Sequence, residues 1–244
     1  KQKNRHPILF THNRQITNSE LLPDGFLATS GQDATVKIWS LKNLGEHKIL
    51  PVKEDVWNFG FSKKANKLFG FMAPSWFTTS GITVWNWPEL SVHTVLDLPT
   101  ESSRCAVHPG GELIAYSNKQ DFSVELYDLN KDQVVKRFED HGDFISSLEF
   151  SPNGDKLITA CFDETARVYN INNLNDPPTK IDYGFSYGGG VKFSPDNKYF
   201  LLRTTIGADA STAELYLTET GEKIGSCEHA SPVRDAFFRE DGKQ

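Results

Sequence analysis

The sequence predicts an all-β fold, a β-propeller assembled from four-stranded sheets, and two observations carry that prediction. One apolar residue followed by a tight turn recurs six times, as Leu21 to Gly25, Phe61 to Ala65, Val107 to Gly111, Phe150 to Gly154, Phe193 to Asn197 and Phe238 to Gly242. The leading positions are separated by 40, 46, 43, 43 and 45 residues, a spacing that marks a structural repeat. No segment carries a 3.6-residue apolar stripe of helical length; each turn is followed by two strand-like runs instead.

The first repeat shows the logic of the others. After Gly25 come Phe26 to Gly31 and then Thr35 to Leu41, where Val36, Ile38 and Ser40 alternate with the period of two that a half-buried strand needs. The fourth repeat has Lys156 to Cys161 and Thr165 to Ile171 after Gly154. Pro-Asp-Gly and Pro-Asn-Gly provide the backbone angles of a hairpin turn. A unit of about 43 residues with four short strands cannot bury both faces alone. Radial stacking lets each sheet cover the next and leaves only short edges open.

At this level of detail the chain resembles the WD-repeat (WD40) family over nearly its whole length. Trp39-Ser40, Trp85-Asn86, Tyr127-Asp128, Tyr169-Asn170 and, more weakly, Tyr216-Leu217 stand at the Trp-Asp position. Asp33, Asp121 and Asp163 each precede that aromatic by six residues, and His12, His141 and His229 precede Ile16, Ile145 and Val233 by four. The resemblance implies a structural tetrad of His12, Thr29, Asp33 and Trp39 in repeat one, and of His141, Thr159, Asp163 and Tyr169 in repeat four. A buried carboxylate is costly unless paired, so such a pair reads as architecture, not catalysis, where it recurs at repeat spacing. Repeats two, three and five depart from the pattern, with Val52, Leu98 and Gly184 where the histidine would stand, although repeat three keeps Asp121 with Ser117.

The repeats run over about 7–41, 49–90, 91–129, 134–171, 180–218 and a partial 223–244. Five full repeats and a partial sixth are expected to belong to a seven-bladed ring, which at this period needs about 300 residues. The chain opens at Lys1 without a methionine and stops inside a hairpin. It therefore reads as a single-domain excerpt of a longer chain; the alternative is that another polypeptide supplies the missing sheet.

Composition narrows the chemistry. The 26 Lys and Arg face 32 Asp and Glu, for a net charge of −6. Direct binding of nucleic acid, which requires neutralised phosphates, is not expected. Cys105, Cys161 and Cys227 are too sparse for a disulfide framework and suit a reducing compartment, cytoplasmic or nuclear. No run reaches the ~18 apolar residues of a membrane-crossing helix, so no membrane insertion is expected. Nucleophile elbows, metalloprotease motifs and phosphate loops are missing, and the seven histidines show no ligand spacing. No catalytic residue, metal or cofactor is assigned. Gly188 to Gly190 leads into a strand, not a helix, which suits a crowded site near the propeller axis better than a phosphate cradle.

What remains is surface. The family resemblance points to the face formed by the loops before the innermost strands and by the middle hairpins. On it the candidate partner-binding residues are Gln15, Gln32, Asp55, Glu101, Gln120, Phe144, Phe162 and Tyr187. Phe144, Phe162 and Tyr187 are expected to be neighbours, either as exposed anchors or turned inward as packing. Trp76 and Phe77 form either a protruding loop or a plug for the edge of a blade. The expected function is a non-enzymatic scaffold or adaptor for other proteins within a larger intracellular complex. One alternative is a reader of short basic or modified peptides in a central acidic pocket holding Asp55 and Glu101. Another is a regulatory propeller attached to a catalytic domain elsewhere.

Overall fold

A computed structural model describes residues 12–43, 46–52, 55–72, 79–102, 104–184, 190–206, 210–229 and 236, 238 and 239. They form five four-stranded antiparallel sheets, each a meander in chain order, which are propeller blades. The first holds β1 (Ile16–Leu22), β2 (Phe26–Gly31), β3 (Thr35–Ser40) and β4 (His47–Pro51). The second holds β5 (Val56–Ser62), β6 (Lys67–Met72), β7 (Thr79–Asn86) and β8 (Val92–Ser102). The third holds β9 (Cys105–Val107), β10 (Leu113–Ser117), β11 (Val124–Asp128) and β12 (Gln133–Phe138). The fourth holds β13 (Ile145–Phe150), β14 (Lys156–Cys161), β15 (Thr165–Asn170) and β16 (Thr179–Asp182). The fifth holds β17 (Gly190–Phe193), β18 (Tyr199–Ile206), β19 (Ala210–Leu217) and β20 (Lys223–His229).

The recurrent turn signature is the hairpin between the first two strands of each sheet. In four of the five a left-handed residue stands four positions after the leading apolar residue, at Gly25 (φ 81°, with Asp24 beside it at φ 60°), Gly111 (φ 76°), Gly154 (φ 85°) and Asn197 (φ 62°). Ala65 stands there in the second repeat and is poorly suited to positive φ; in a turn of unchanged length the left-handed conformation moves one position on, to Asn66 (φ 50°). The family aromatic is equally regular. Trp39, Trp85, Tyr127, Tyr169 and Tyr216 are each the penultimate residue of the third strand, opposite Leu27, Leu68, Ile114, Leu157 and Phe200.

The sheets and the sequence repeats are out of phase by one strand. β4, β8, β12 and β16 stand at the start of repeats two to five, yet each completes the sheet of the repeat before it. Likewise β20 opens the stretch 223–244 assigned to a partial sixth repeat, and it is the fourth strand of the fifth sheet. The remainder of that stretch lies outside the described residues, apart from 236, 238 and 239.

The chain divides into two compact units, 1–99 and 100–244. In the first, β1 lies beside β5. Leu22, Ala28, Val36, Ile38 and Leu50 of sheet one share a core with Val56, Phe59, Leu68, Met72, Trp85 and Trp87. Thr17 Oγ1 donates to the Val56 carbonyl at 2.5 Å, tying the two first strands together. In the second unit, β13 lies between β9 and β17. Sheet four is buried on both faces: Leu157, Cys161 and Tyr169 pack with sheet three, while Ile158, Ala160, Ala166 and Val168 pack with sheet five. Double burial explains the nearly unbroken apolar run of β14. It also corrects the reading of β3 as a half-buried strand. Its alternate residues Lys37 and Trp39 are as buried as Val36 and Ile38, with the Lys37 ammonium 5.8 Å from the indole centroid.

Candidate functional site

In sheets one, three and four the loop entering the first strand and the hairpin between the second and third strands meet at one rim. In sheet one the Gln32 N–H donates to the Gln15 carbonyl at 2.9 Å; in sheet four the Phe162 N–H donates to the Phe144 carbonyl at 3.0 Å. The structure thus places two pairs of the predicted surface residues side by side through their backbones.

Beneath the first pair runs a directed chain of hydrogen bonds. Trp39 Nε1–H donates to Thr29 Oγ1 at 2.7 Å, and Thr29 Oγ1 lies 2.8 Å from His12 Nε2. His12 Nδ1 lies 2.9 Å from Asp33 Oδ1, so the tautomer that satisfies every group has Nδ1–H donating to the carboxylate. Asp33 also accepts the Asn13 N–H at 2.8 Å and the Thr35 hydroxyl at 2.6 Å. Gly31 makes room for this: a Cβ there would stand 2.5 Å from His12 Nδ1.

Sheet four repeats the arrangement around His141. Its Nδ1 lies 2.9 Å from Asp163 Oδ2 and its Nε2 2.7 Å from Thr159 Oγ1. Asp163 accepts the Gly142 N–H at 3.0 Å and both the N–H and hydroxyl of Thr165, at 3.0 and 2.6 Å. Arg167 adds a guanidinium 3.1 Å from Asp163, a partner that no motif announced.

Tyr169, expected to close this tetrad, does not. Its hydroxyl is buried and makes no hydrogen bond of good geometry, although Thr159 and Asp140 both lie near it. A phenol carries its donor at the tip of the ring, whereas the Trp39 indole carries it on the flank, level with the threonine. Burial, and the Asp140 carboxylate nearby, push the Tyr169 pKa up. An orphaned buried hydroxyl costs about 1–3 kcal/mol of desolvation. Tyr169→Phe is therefore expected to melt at the same temperature or higher; a clear loss of stability on thermal melting would show that the hydroxyl is bonded.

Sheet three replaces the histidine network with another. Tyr116 occupies the place of Thr29 and Thr159, two residues beyond Ile114, and its hydroxyl donates to Glu125 Oε2 at 2.6 Å. Arg137 links Glu125 to Asp121 and Glu139. Asp121 also caps its own turn, accepting the Ser123 N–H at 3.0 Å and the Ser123 hydroxyl at 2.7 Å. The expected pairing of Asp121 with Ser117 gives way to this turn, because Ser117 points to Arg104, whose N–H it accepts at 3.1 Å. An Asp-x-Ser/Thr turn thus recurs in three sheets, and the residue between is left-handed each time: Ala34 (φ 52°), Phe122 (φ 62°) and Glu164 (φ 67°).

The electrostatics match. Burial alone would raise the Asp33 pKa, but the hydrogen bonds from Thr35, His12 and Asn13 outweigh it and hold the carboxyl well below the ordinary range. Burial likewise opposes ionisation of Asp163, and Thr165, Gly142 and His141 overcome it. Burial, with Arg167 alongside, lowers the His141 pKa. All three folded values lie below their unfolded ones, so each stabilising contribution is complete above the unfolded pKa and lost as pH falls towards the folded pKa. Acidification is expected to lower the melting temperature first below about pH 6.5, as His141 charges, and again below about pH 4, as the aspartates protonate. Melting curves across pH test this, and in His141→Gln the upper step should shrink to what His93, lowered by burial and by Lys67, contributes.

Cys161 Sγ, His141 and Asp163 bring ligand atoms within 4.8 Å of one another. The cluster is ill-suited to a cation. Both imidazole nitrogens are engaged, Arg167 already supplies the positive charge, and the thiol, donating to the Asp143 carbonyl at 3.0 Å, is pushed up to about 12 by burial.

The remaining surface candidates separate. Asp55 accepts the Ala34 N–H at 3.3 Å and so braces a hairpin of sheet one. The side chain of Glu101, Tyr187, the segment 73–78 with Trp76 and Phe77, and Gly188 lie outside the described residues. Gln120 is exposed. Phe162 is half-buried, while Phe144 is 42% exposed. The ring that meets Phe144 is Phe122, edge-on at 5.0 Å and 73°, a residue that sequence reasoning passed over. The Asp-x-Ser turn at 121–123 was the available signal, since its middle residue must project outward.

Comparison with known proteins agrees with this architecture. The family description "WD domain, G-beta repeat" matches residues 6–40 and 132–170, the stretches that hold the two histidine networks. The chain is 23% identical over 205 residues to DDB1- and CUL4-associated factor 13 of Xenopus laevis, covering 83% of this chain and 44% of that protein. It is 29% identical over 102 residues to the periodic tryptophan protein 2 homolog of Neurospora crassa, covering 42% of this chain and 11% of that protein. It is also 22% identical over 215 residues to pre-mRNA-processing factor 19 homolog 2 of Arabidopsis thaliana, covering 85% and 38%. The chain therefore spans less than half the length of these relatives. With propeller-blade sheets across the described residues and His–Asp networks in the two matched stretches, the chain carries the repeats and the blade architecture of the WD-repeat family.

Proposed function

We propose that this protein is a non-enzymatic interaction platform that holds other proteins in a larger intracellular assembly. The observation that carries the reading is the rim of sheets three and four. There, hydrogen bonds fix the turns at Asp121 and Asp163, and beside them Phe144, tied through its carbonyl to the Phe162 N–H, remains exposed. Rigid turns carrying an exposed aromatic residue present a docking surface at little entropic cost. The net charge of −6 favours encounter with basic partners. One of the similar proteins is named an associated factor, which suits a platform role here. A central pocket for basic peptides is less well supported, since Asp55 is occupied by a backbone N–H. Affinity purification of the native protein from its own cells, followed by mass spectrometry, tests the proposal. Companions recovered in fixed stoichiometry support it; a protein recovered alone, with or without catalytic activity, refutes it.

A further inference from the structure

The pair formed by half-buried Phe122 and exposed Phe144 has a distinctive border. Phe122 and Phe144 belong to adjacent sheets of the second unit. Asp143 immediately precedes Phe144 and accepts its N–H at 2.7 Å. Glu164 projects from the turn that begins at Phe162, whose N–H is bonded to the Phe144 carbonyl. Among the described residues neither Asp143 nor Glu164 has an ion-pair partner. Arg137 is already shared by Asp121, Glu125 and Glu139, and Lys119 adds one positive charge to the neighbouring turn. Carboxylates thus outnumber cations around an apolar ring that is open to solvent.

We propose that this seam docks an arginine-bearing segment of a partner protein, with one guanidinium lying on the Phe144 ring and its N–H groups reaching Asp143 and Glu164. The inference rests on the platform reading and names the chemistry of its partner. A guanidinium is planar, weakly hydrated and equipped with a fork of donors, so it satisfies ring and carboxylates together. An ammonium offers a point charge without the flat face. A purely apolar segment would strip water from two carboxylates without replacing it. An acidic segment would be repelled.

Fluorescence anisotropy on the full-length native protein tests this, with three labelled octapeptides alternating glycine with arginine, lysine or glutamate. The arginine peptide should bind saturably, the lysine peptide about fivefold more weakly and the glutamate peptide not at all. Phe144→Ala and Asp143→Lys should each weaken the arginine peptide by about tenfold or more at unchanged melting temperature. Equal binding to the parent and to both variants overturns the proposal, as does the absence of saturable binding. Purification from cells separates its failure from that of the platform. Companions that stay bound to the Phe144→Ala, Asp143→Lys double variant refute the seam and leave the platform standing, whereas a parent protein without companions removes the platform itself.

Discussion

Replacing Trp85 with alanine is expected to lower stability by about 3–5 kcal/mol, the usual cost of emptying a large aromatic site in a closed core. The indole is 1% exposed and sits opposite Leu68 in the core shared by sheets one and two. It fits there because Gly70 has no side chain. A Cβ at Gly70 would stand 2.8 Å from the indole ring and 3.4 Å from Val56 Cγ1. Gly70→Ala is therefore destabilising in its own right, through overpacking. The two sites should not add. Trp85→Phe removes the ring that Gly70→Ala strikes, so the double variant should be more stable than the sum of its parts predicts. Denaturant midpoints of the four proteins decide this; strict additivity would mean that the contact is not what sets the size of residue 70.

Asp163→Ala should cost about 3 kcal/mol, because one carboxylate serves several donors at once. Its removal strands the Gly142 N–H, both donors of Thr165, the His141 Nδ1–H and the Arg167 guanidinium. Asp33→Ala should cost less, since among the described residues the donors to that carboxylate are Asn13, Thr35 and His12, without a guanidinium. Asp163→Asn separates charge from hydrogen bonding, since an amide oxygen still accepts from the backbone but no longer compensates Arg167. A denaturation midpoint for Asp163→Ala within error of the parent would show that the network orients the rim without stabilising the fold.

Much of this architecture is readable before any coordinates, for a physical reason. The hairpin after each leading apolar residue demands a left-handed residue, and glycine or asparagine is the cheapest way to provide one, so the turns at 25, 111, 154 and 197 are visible as letters. The His12–Asp33 and His141–Asp163 pairs are visible because a buried polar group needs a specific partner at a specific spacing. Substituted networks leave no such trace. Tyr116, Glu125 and Arg137 do the work of a tetrad in sheet three, but any long polar side chains that meet there would serve, and no spacing marks them. The failure of Tyr169 to close its network has a similar origin. Tyrosine and tryptophan are interchangeable as buried aromatic mass, and they differ in where the donor sits. The Phe122–Phe144 pair was half-legible: Phe144 stood out in its own loop, while its companion lay in a turn noted only for its aspartate.

The one-strand offset between repeat and sheet bears on how such a protein can be cut, joined or evolved. A strand that opens one repeat is held by backbone pairing to the sheet of the repeat before, as β16 is to β15. A boundary drawn between repeats, near residue 178 for instance, therefore leaves an upstream fragment whose last sheet lacks its outer strand and a downstream fragment with an unpaired strand at its head. Each would expose a row of backbone donors and acceptors suited to pairing with another chain. Truncations that respect the sheets, with the break placed between β16 and β17, open the apolar face that sheets four and five share but keep every strand paired, whereas those that respect the repeats open unpaired strand edges as well. Exchange of whole repeats between related genes carries the opposite benefit. Every transplanted repeat arrives with one strand committed to its neighbour, so the splice is fastened by hydrogen bonds on both sides of the new joint.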